Sequence, residues 1–418
     1  MEIKKGYKMT DVGVIPEDWE VKSIGEICCD TKYGVAAEAI PFDGINKYIR
    51  ITDIDDEDGH FVQSNLTSPS FFMPIHILGE NDLLIARTGA SVGKSYLYNK
   101  QDGKLIFAGF LMKFNINKAN PKLVFYKTMT SDYHDYIESE SMRSGQPGVN
   151  IQQIKDYTVS LPKAIKEQQA IADALTKVDD LIMSLSKVIE KKKLIKKGAM
   201  QKLLSGEMRL DGFDVEWERK RIGKIGITYS GITGKNKSDF GHGTAKYITF
   251  LNVLNNPIIN TKELELVDIS SNENQNKAVK GDLFFNVSSE TPEEVGICSV
   301  LLDDISNLYV NSFCFGFRIT DKEVSGIYLS YLFRTSLGRD KMSSIAQGAT
   351  RYNLSKDYFN EIELTIPPTK AEQTAIANVL TTMDDEIEAL EKERDKYKCI
   401  KQGMMQQLLT GKIRLTCQ

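Results

Sequence analysis

The stretch "ARTGASVGKS" at residues 86–95 offers the clearest chance of phosphate chemistry, through Gly89, Gly93, Lys94 and Ser95. A phosphate-binding loop needs four residues between its glycines and a helix behind them, so that successive backbone amides cradle the oxyanion. Here only Ala90, Ser91 and Val92 intervene, and "YLYNK" follows with the alternation of a strand. The wider segment "DLLIARTGASVGKS" is therefore expected to be a β-hairpin. Its turn residues Arg87, Thr88, Ser91 and Lys94 suit phosphate and base-edge contacts, and the competing reading is a solvated tip.

Other reactive groups do not assemble into a catalytic set. Asp55, Asp56, Glu57 and Asp58 could hold a cation, but a solvated turn is favoured. The four histidines are dispersed, and the six cysteines form no CxxC pair, so reduced thiols are expected. "CCDTKYG" has no counterpart later in the chain. The sole Pro-Pro lies in "TIPPTK", outside any methyltransferase tetrapeptide, and no glycine-rich cofactor fingerprint follows a strand.

The elements that would position these residues are written twice. "EQQAIADALTKVDDLIMSLSKVIEKKKLIKKGAMQKLLSGEMRL" (167–210) aligns without gaps to "EQTAIANVLTTMDDEIEALEKERDKYKCIKQGMMQQLLTGKIRL" (372–415), with 24 of 44 positions identical. Fainter echoes pair "DWEVKSIGEI" with "EWERKRIGKI" and "NDLLIA" with "GDLFFN". Near-constant segments thus alternate with divergent ones. The chain's 418 residues, 41% hydrophobic and 26% charged, suit two or three soluble domains. A net charge of −4 leaves room for a local basic groove. Without an 18-residue apolar run or a signal-peptide core, a cytoplasmic location and no membrane partner are expected.

The near-constant segments are predicted helices. Ile171, Leu175, Val178, Ile182, Leu185 and Ile189 recur every 3.5 residues, as do Ile376, Leu380, Met383, Ile387 and Leu390. Each helix starts after a proline and ends near Gly206 or Gly411, giving a rod of roughly 60 Å. Gly198 and Gly403 mark a bend or a close contact. The first helix carries seven lysines between Lys187 and Lys202 against Glu190 alone. Laid antiparallel, Lys191, Lys192 and Lys193 would face Glu388 and Glu391, with Lys196 and Lys197 near Asp384 and Asp385.

The divergent segments are strand-rich, with helical pieces such as "NPKLVFYKTMTSDYHDYIES" and "SGIYLSYLFRTSLGRDKMSSI". "SMRSGQPGVNI" and "SIAQGATRYNLS" each place a polar loop before an expected strand. Arg143, Gln146 and Asn150 in one, and Gln347, Thr350, Arg351, Tyr352 and Asn353 in the other, can read base edges. The second hairpin, "NVSSETPEEVGICS", replaces the basic turn with Glu290, Glu293 and Glu294.

The repeated "EQQAIADALTKVDDLI" and "EQTAIANVLTTMDDEI", each after a strand ending in proline, resemble the conserved regions of specificity subunits of type I restriction–modification systems. "GYKMTDVGVIPEDWEVKSIGEI" and "LDGFDVEWERKRIGKI" are similar to the lead-ins of that family's two target-recognition domains. The resemblance covers essentially the whole chain. It implies an α+β fold in which two pseudo-repeated strand-rich target-recognition domains are separated by two long helices forming an antiparallel coiled coil. The divisions are 1–163, 164–207, 208–367 and 368–418, with residues 164–207 and 368–418 as the helical regions.

The resemblance further implies a non-catalytic subunit whose domains each read half of a bipartite double-stranded DNA site, while the helices set the spacer. Two methyltransferase subunits and motor–nuclease restriction subunits would bring S-adenosylmethionine, ATP and Mg²⁺; no cofactor or metal belongs to this chain. Candidate DNA contacts are Lys32, Tyr33, Arg87, Thr88, Ser91, Lys94, Arg143, Gln146 and Asn150 in the first domain. In the second they are Ser230, Thr233, Lys235, Asn236, Lys237, Ser288, Ser289, Thr350, Arg351, Tyr352 and Asn353. A coiled-coil scaffold that does not read DNA is the alternative.

Overall fold

A computed structural model describes residues 3–142, 146–270, 272–348 and 350–415. It divides into two units, Met1–Ser186 with Lys392–Gln418, and Lys187–Glu391. In the first unit four antiparallel strands form a sheet: β1 (Cys28–Tyr33), β2 (Asp82–Ala86), β3 (Ser95–Leu97) and β4 (Leu111–Ile116), in the order β1-β4-β2-β3. The second unit repeats it with β5 (Gly226–Ser230), β6 (Leu283–Asn286), β7 (Cys298–Val300) and β8 (Cys314–Ile319), in the order β5-β8-β6-β7.

Apolar runs explain why β2 and β6 are central. Side chains alternate across a strand, so a continuous apolar run must be covered on both faces. Leu83 and Ile85 enter one core with Phe114, Leu123 and Tyr133. Leu84 and Ala86 enter another with Ile49, Leu105 and Phe107. In the second unit Leu283 and Phe285 face one core and Phe284 the other. Helical pieces (Pro121–Lys127 and Ser131–Ser141; Gly326–Arg334 and Ser336–Ser344) cover one side of each sheet. A short parallel pair, 47–49 with 105–107 or 246–248 with 308–310, lies on the other.

The predicted helices are present as α1 (Ile165–Ser205) and α2 (Lys370–Leu408), 41 and 39 residues long. Each passes from one unit into the other. Within each unit, half of α1 pairs antiparallel with half of α2. In the second, Lys193 lies 2.9 Å from Glu391, Lys192 2.5 Å from Glu386, and Lys196 bonds Asp384. In the first, Lys401 lies 2.6 Å from Asp179. The Lys401–Asp179 and Lys196–Asp384 pairs are one another shifted by 205 residues. The first seam positions do more than zip helices: Ile171 and Leu175 are buried in the first unit's sheet core, and Ile376 and Leu380 in the second's.

The "EQ" of each repeated segment proves to be a clamp. Gln168 accepts from the Asn120 N–H (2.8 Å) and donates to the Pro162 carbonyl (2.7 Å). Gln373 does the same with Ser325 and Pro367, both at 2.8 Å. Glu167 and Glu372 are buried at 4% and 1% exposure, where a lone carboxylate would be costly. Each receives a two-pronged arginine: Arg414 on Glu167 (2.6 and 2.7 Å) and Arg209 on Glu372 (2.7 and 2.9 Å). The chain's two tryptophans complete the clamps. Arg414 lies over Trp19 and Arg209 over Trp217, each ring packing against the left-handed glycine, Gly411 or Gly206, that ends a helix.

Two expectations are corrected. Gly198 and Gly403 mark no close contact, because a Cβ at either would meet nothing within 4 Å. The first polar loop does not run straight into a strand but leads to a short helix, Ile151–Asp156, whereas the second enters the expected strand, Tyr352–Leu354, ahead of the helix Lys356–Glu361. In the first, Asn150 and Gln153 cap one another reciprocally at 3.0 Å, starting a helix in place of the expected strand.

Candidate nucleic-acid interface

In the first unit the β2–β3 hairpin forms as expected, its connection running from Arg87 to Lys94 with no helix behind it. The turn lies against the 146–150 loop. Gly89 N–H donates to the Pro147 carbonyl (3.0 Å), Val149 N–H to the Arg87 carbonyl (2.9 Å), and Thr88 bridges to Gly148. This pairing brings Arg87, Thr88 and Gln146 to one cleft of about 780 Å³, together with Arg50, Thr52 and Phe110. The Arg87 guanidinium lies 4.8 Å above the Tyr33 ring, and its buried Nε has no hydrogen-bond partner among the described residues. Such a buried donor without a partner is uncommon in a folded chain. Arg50, which sequence reasoning missed, is held at the rim by Asp53 through two bonds of 2.8 Å. The helix following it, only a single turn of "ITD", left no periodic signal to find it by.

The remaining candidates of this unit lie elsewhere. Lys94 does not reach the cleft: its ammonium bonds the Ile54 carbonyl (2.8 Å) and Asp56, staking down the acidic 55–58 turn. Ser91 sits with it in a separate pocket of about 270 Å³. In that turn Asp55 accepts from the backbone N–H groups of Glu57 and Asp58, Asp58 bonds His60, and Glu57 pairs with Lys398 at 2.6 Å. These bonds engage the cluster with its own chain. The His60 imidazole is held above its ordinary range chiefly by that bond to the Asp58 carboxylate. Lys32, one residue before Tyr33, points to the opposite face of the strand, 3.8 Å from Asp30. The carboxamide oxygen of Asn150 is occupied by its helix cap. Arg143 lies outside the described residues. Cys28 is buried, which raises its thiol, the reverse of an activated nucleophile.

The second unit builds its cleft, of about 430 Å³, from different residues: Ser230, Thr233, Lys235, Val287, Ser312 and Lys356. Lys356, another residue not singled out from sequence, donates to Ser230 Oγ at 2.9 Å. Lys235 pairs with Glu273 at 2.5 Å, a bond that pulls the Glu273 carboxyl down to about 2. Gln275 holds the Thr233 backbone from both sides (3.1 and 2.8 Å). Asn236 and Lys237 are exposed at the adjoining turn, where Asp239 accepts from Asn236 N–H at 2.6 Å. Ser288 and Ser289 pair with Asn353 and Tyr352 in a small ladder beside Val287. Ser288 is buried there, and Ser289 donates to Glu294 at 3.1 Å. Thr350, Arg351 and Asn353 are exposed and Tyr352 half-buried.

Two clefts of different chemistry thus sit on one repeated framework. The model of the type I restriction modification DNA specificity domain matches this chain twice, over residues 16–196 and 214–396. The chain belongs to that family. It is a specificity subunit of a type I restriction–modification system with two DNA-recognition domains, and the scaffold alternative is left without support. The chain is 28% identical to the MjaX type I restriction enzyme specificity subunit of Methanocaldococcus jannaschii, over 99% of this chain and 97% of that protein. To the MjaVIII specificity subunit of the same organism it is 25% identical, over 96% and 94%. Its fold is similar to that of the type I system S subunit from M. genitalium, with TM-score 0.62, 16% identity and 98% of both chains covered. The specificity family recognises DNA rather than performing catalysis.

Proposed function

We propose that the two clefts read the two halves of one bipartite DNA site, with 1–163 and 208–367 as the recognition domains and 164–207 and 368–418 as the helical regions. The observation that carries this reading is the contrast of constant framework and changed lining. Sheet order, clamps and ion pairs repeat, whereas Tyr33 and Arg87, stacked beside one cleft, give way to Ser230 and Val287 of the other. A protein that must read unlike sequences at two places needs that division.

In this reading two methyltransferase subunits dock on the chain and supply S-adenosylmethionine chemistry, and motor–nuclease subunits supply ATP- and Mg²⁺-dependent cleavage. The setting is the cytoplasm. Because each long helix is shared between the units, its length sets the unread spacer. The candidates favoured for contact are Tyr33, Arg87, Thr88 and Gln146, with Ser230, Thr233, Lys237, Thr350, Arg351, Tyr352 and Asn353. Methylome sequencing of cells carrying the modification partner, with and without this chain, tests the reading. One gained bipartite adenine-methylation motif is expected; an unchanged methylome despite an assembled complex refutes it. Seven residues inserted after Ser186 and after Glu391 should lengthen the spacer and leave both half-sites intact.

A further inference from the structure

Each unit exposes a phenylalanine at the same point of its fold, just before the strand that pairs with the cleft strand. Phe110 is 64% exposed and Phe313 54% exposed. Both sit at the third position of a tight turn. Leu111 N–H donates to the Ala108 carbonyl (2.8 Å) in one, and Cys314 N–H to the Asn311 carbonyl (3.0 Å) in the other. The phenylalanine carbonyls accept from Arg87 N–H (3.0 Å) and Val287 N–H (2.9 Å), the residues that open each cleft lining. Ala108 and Asn311 are themselves anchored to the Ile49 and Ile248 carbonyls, both at 3.0 Å. The next residues, Leu111 and Cys314, are buried in the cores. Each ring therefore projects from a backbone fixed on every side.

The neighbours of the two rings have diverged: Arg87 against Val287, Thr88 against Ser288, Gly109 against Ser312. The phenylalanine has not. A group kept where sequence-reading residues change has a task independent of the sequence read. Contact with a thymine methyl depends on sequence. Stacking does not, because every base offers a π-face. Apolar side chains projecting from DNA-binding surfaces wedge between base steps and unstack them.

We infer that Phe110 and Phe313 are matched wedges, each inserting its ring between two stacked base pairs at its own half-site. The inference rests on the assignment of both units as DNA-recognition domains. The full chain, assembled with its modification subunits, is titrated with duplexes carrying the motif returned by methylome sequencing, with 2-aminopurine placed at each half-site position in turn. The expected result is brightening at one step in each half-site. Phe110→Ala should abolish it at one half-site only and Phe313→Ala at the other, each weakening binding about tenfold, while Phe110→Trp preserves it. Thermal unfolding should not change, since both rings face solvent. Sequence-specific binding without brightening overturns the inference. So does brightening that survives both alanine variants, which then belongs to the partner subunits. Absence of any sequence-specific binding by the wild type removes the DNA reading itself and the wedges with it.

Discussion

The two clefts differ in how they present positive charge. In the first unit Arg87 is stacked on Tyr33, and its Nε has no hydrogen-bond partner among the described residues. In the second no arginine stands at that point, and the cleft cations Lys235 and Lys356 are already engaged by Glu273 and Ser230. Away from the clefts the units converge: Arg414 and Arg209 close on Glu167 and Glu372 with nearly equal distances. The contrast shows where identity is required, in holding helices to sheets, and where it is not, in meeting the ligand. One departure breaks the pattern. Lys127 of the first unit is buried, donating to the Leu409 carbonyl (2.6 Å) and Ser160 Oγ (2.8 Å), where the second unit has Leu332.

The largest expected effect falls on the shared part. Arg209→Ala and Arg414→Ala each strand a buried carboxylate and should cost about 3–5 kcal/mol in denaturant unfolding. Unequal costs would show that the clamps are less alike than their geometry. On the divergent part, Arg87→Ala should lose about 1–3 kcal/mol of discrimination at one half-site and none at the other. Titrations with singly mismatched duplexes check this.

The Lys127 comparison is sharpened by Lys127→Leu, which copies the second unit. Burial pulls this ammonium down to about 7, below its ordinary 10.5. Between those values the unfolded chain holds a proton that the folded chain lacks. Stability from this group therefore rises with pH, by up to about tenfold in the folding constant per pH unit. Unfolding from pH 7 to 10 should be less pH-dependent in the leucine variant. The smallest effect concerns exposed charge. Lys237→Ala should lower the slope of log affinity against log salt by about 1, and Lys94→Ala should leave it unchanged.

Much of the framework was legible in the residues. The gapless repeat and the 3.5-residue seam foretold both helices, their antiparallel pairing and contacts such as Lys196–Asp384. Apolar runs such as "DLLIA" marked the central strands. The clamps were hidden because Arg209 and Glu372 are 163 residues apart, and nothing local announces a buried ion pair. Lys94 looked like a phosphate ligand for the same reason: its partner Asp56 comes from a distant turn. Arg50, Lys356 and the two exposed phenylalanines could be valued only once the fold placed them beside a cleft.

The most direct test copies the second recognition domain into the place of the first, leaving both helical regions intact, and sequences the methylome made with the modification partner. Because the clamps and ion pairs recur in both units, such a chain should methylate an interrupted palindrome, the second half-site facing its own inverse across the spacer. Retention of the original asymmetric motif would contradict the assignment of one half-site to each unit.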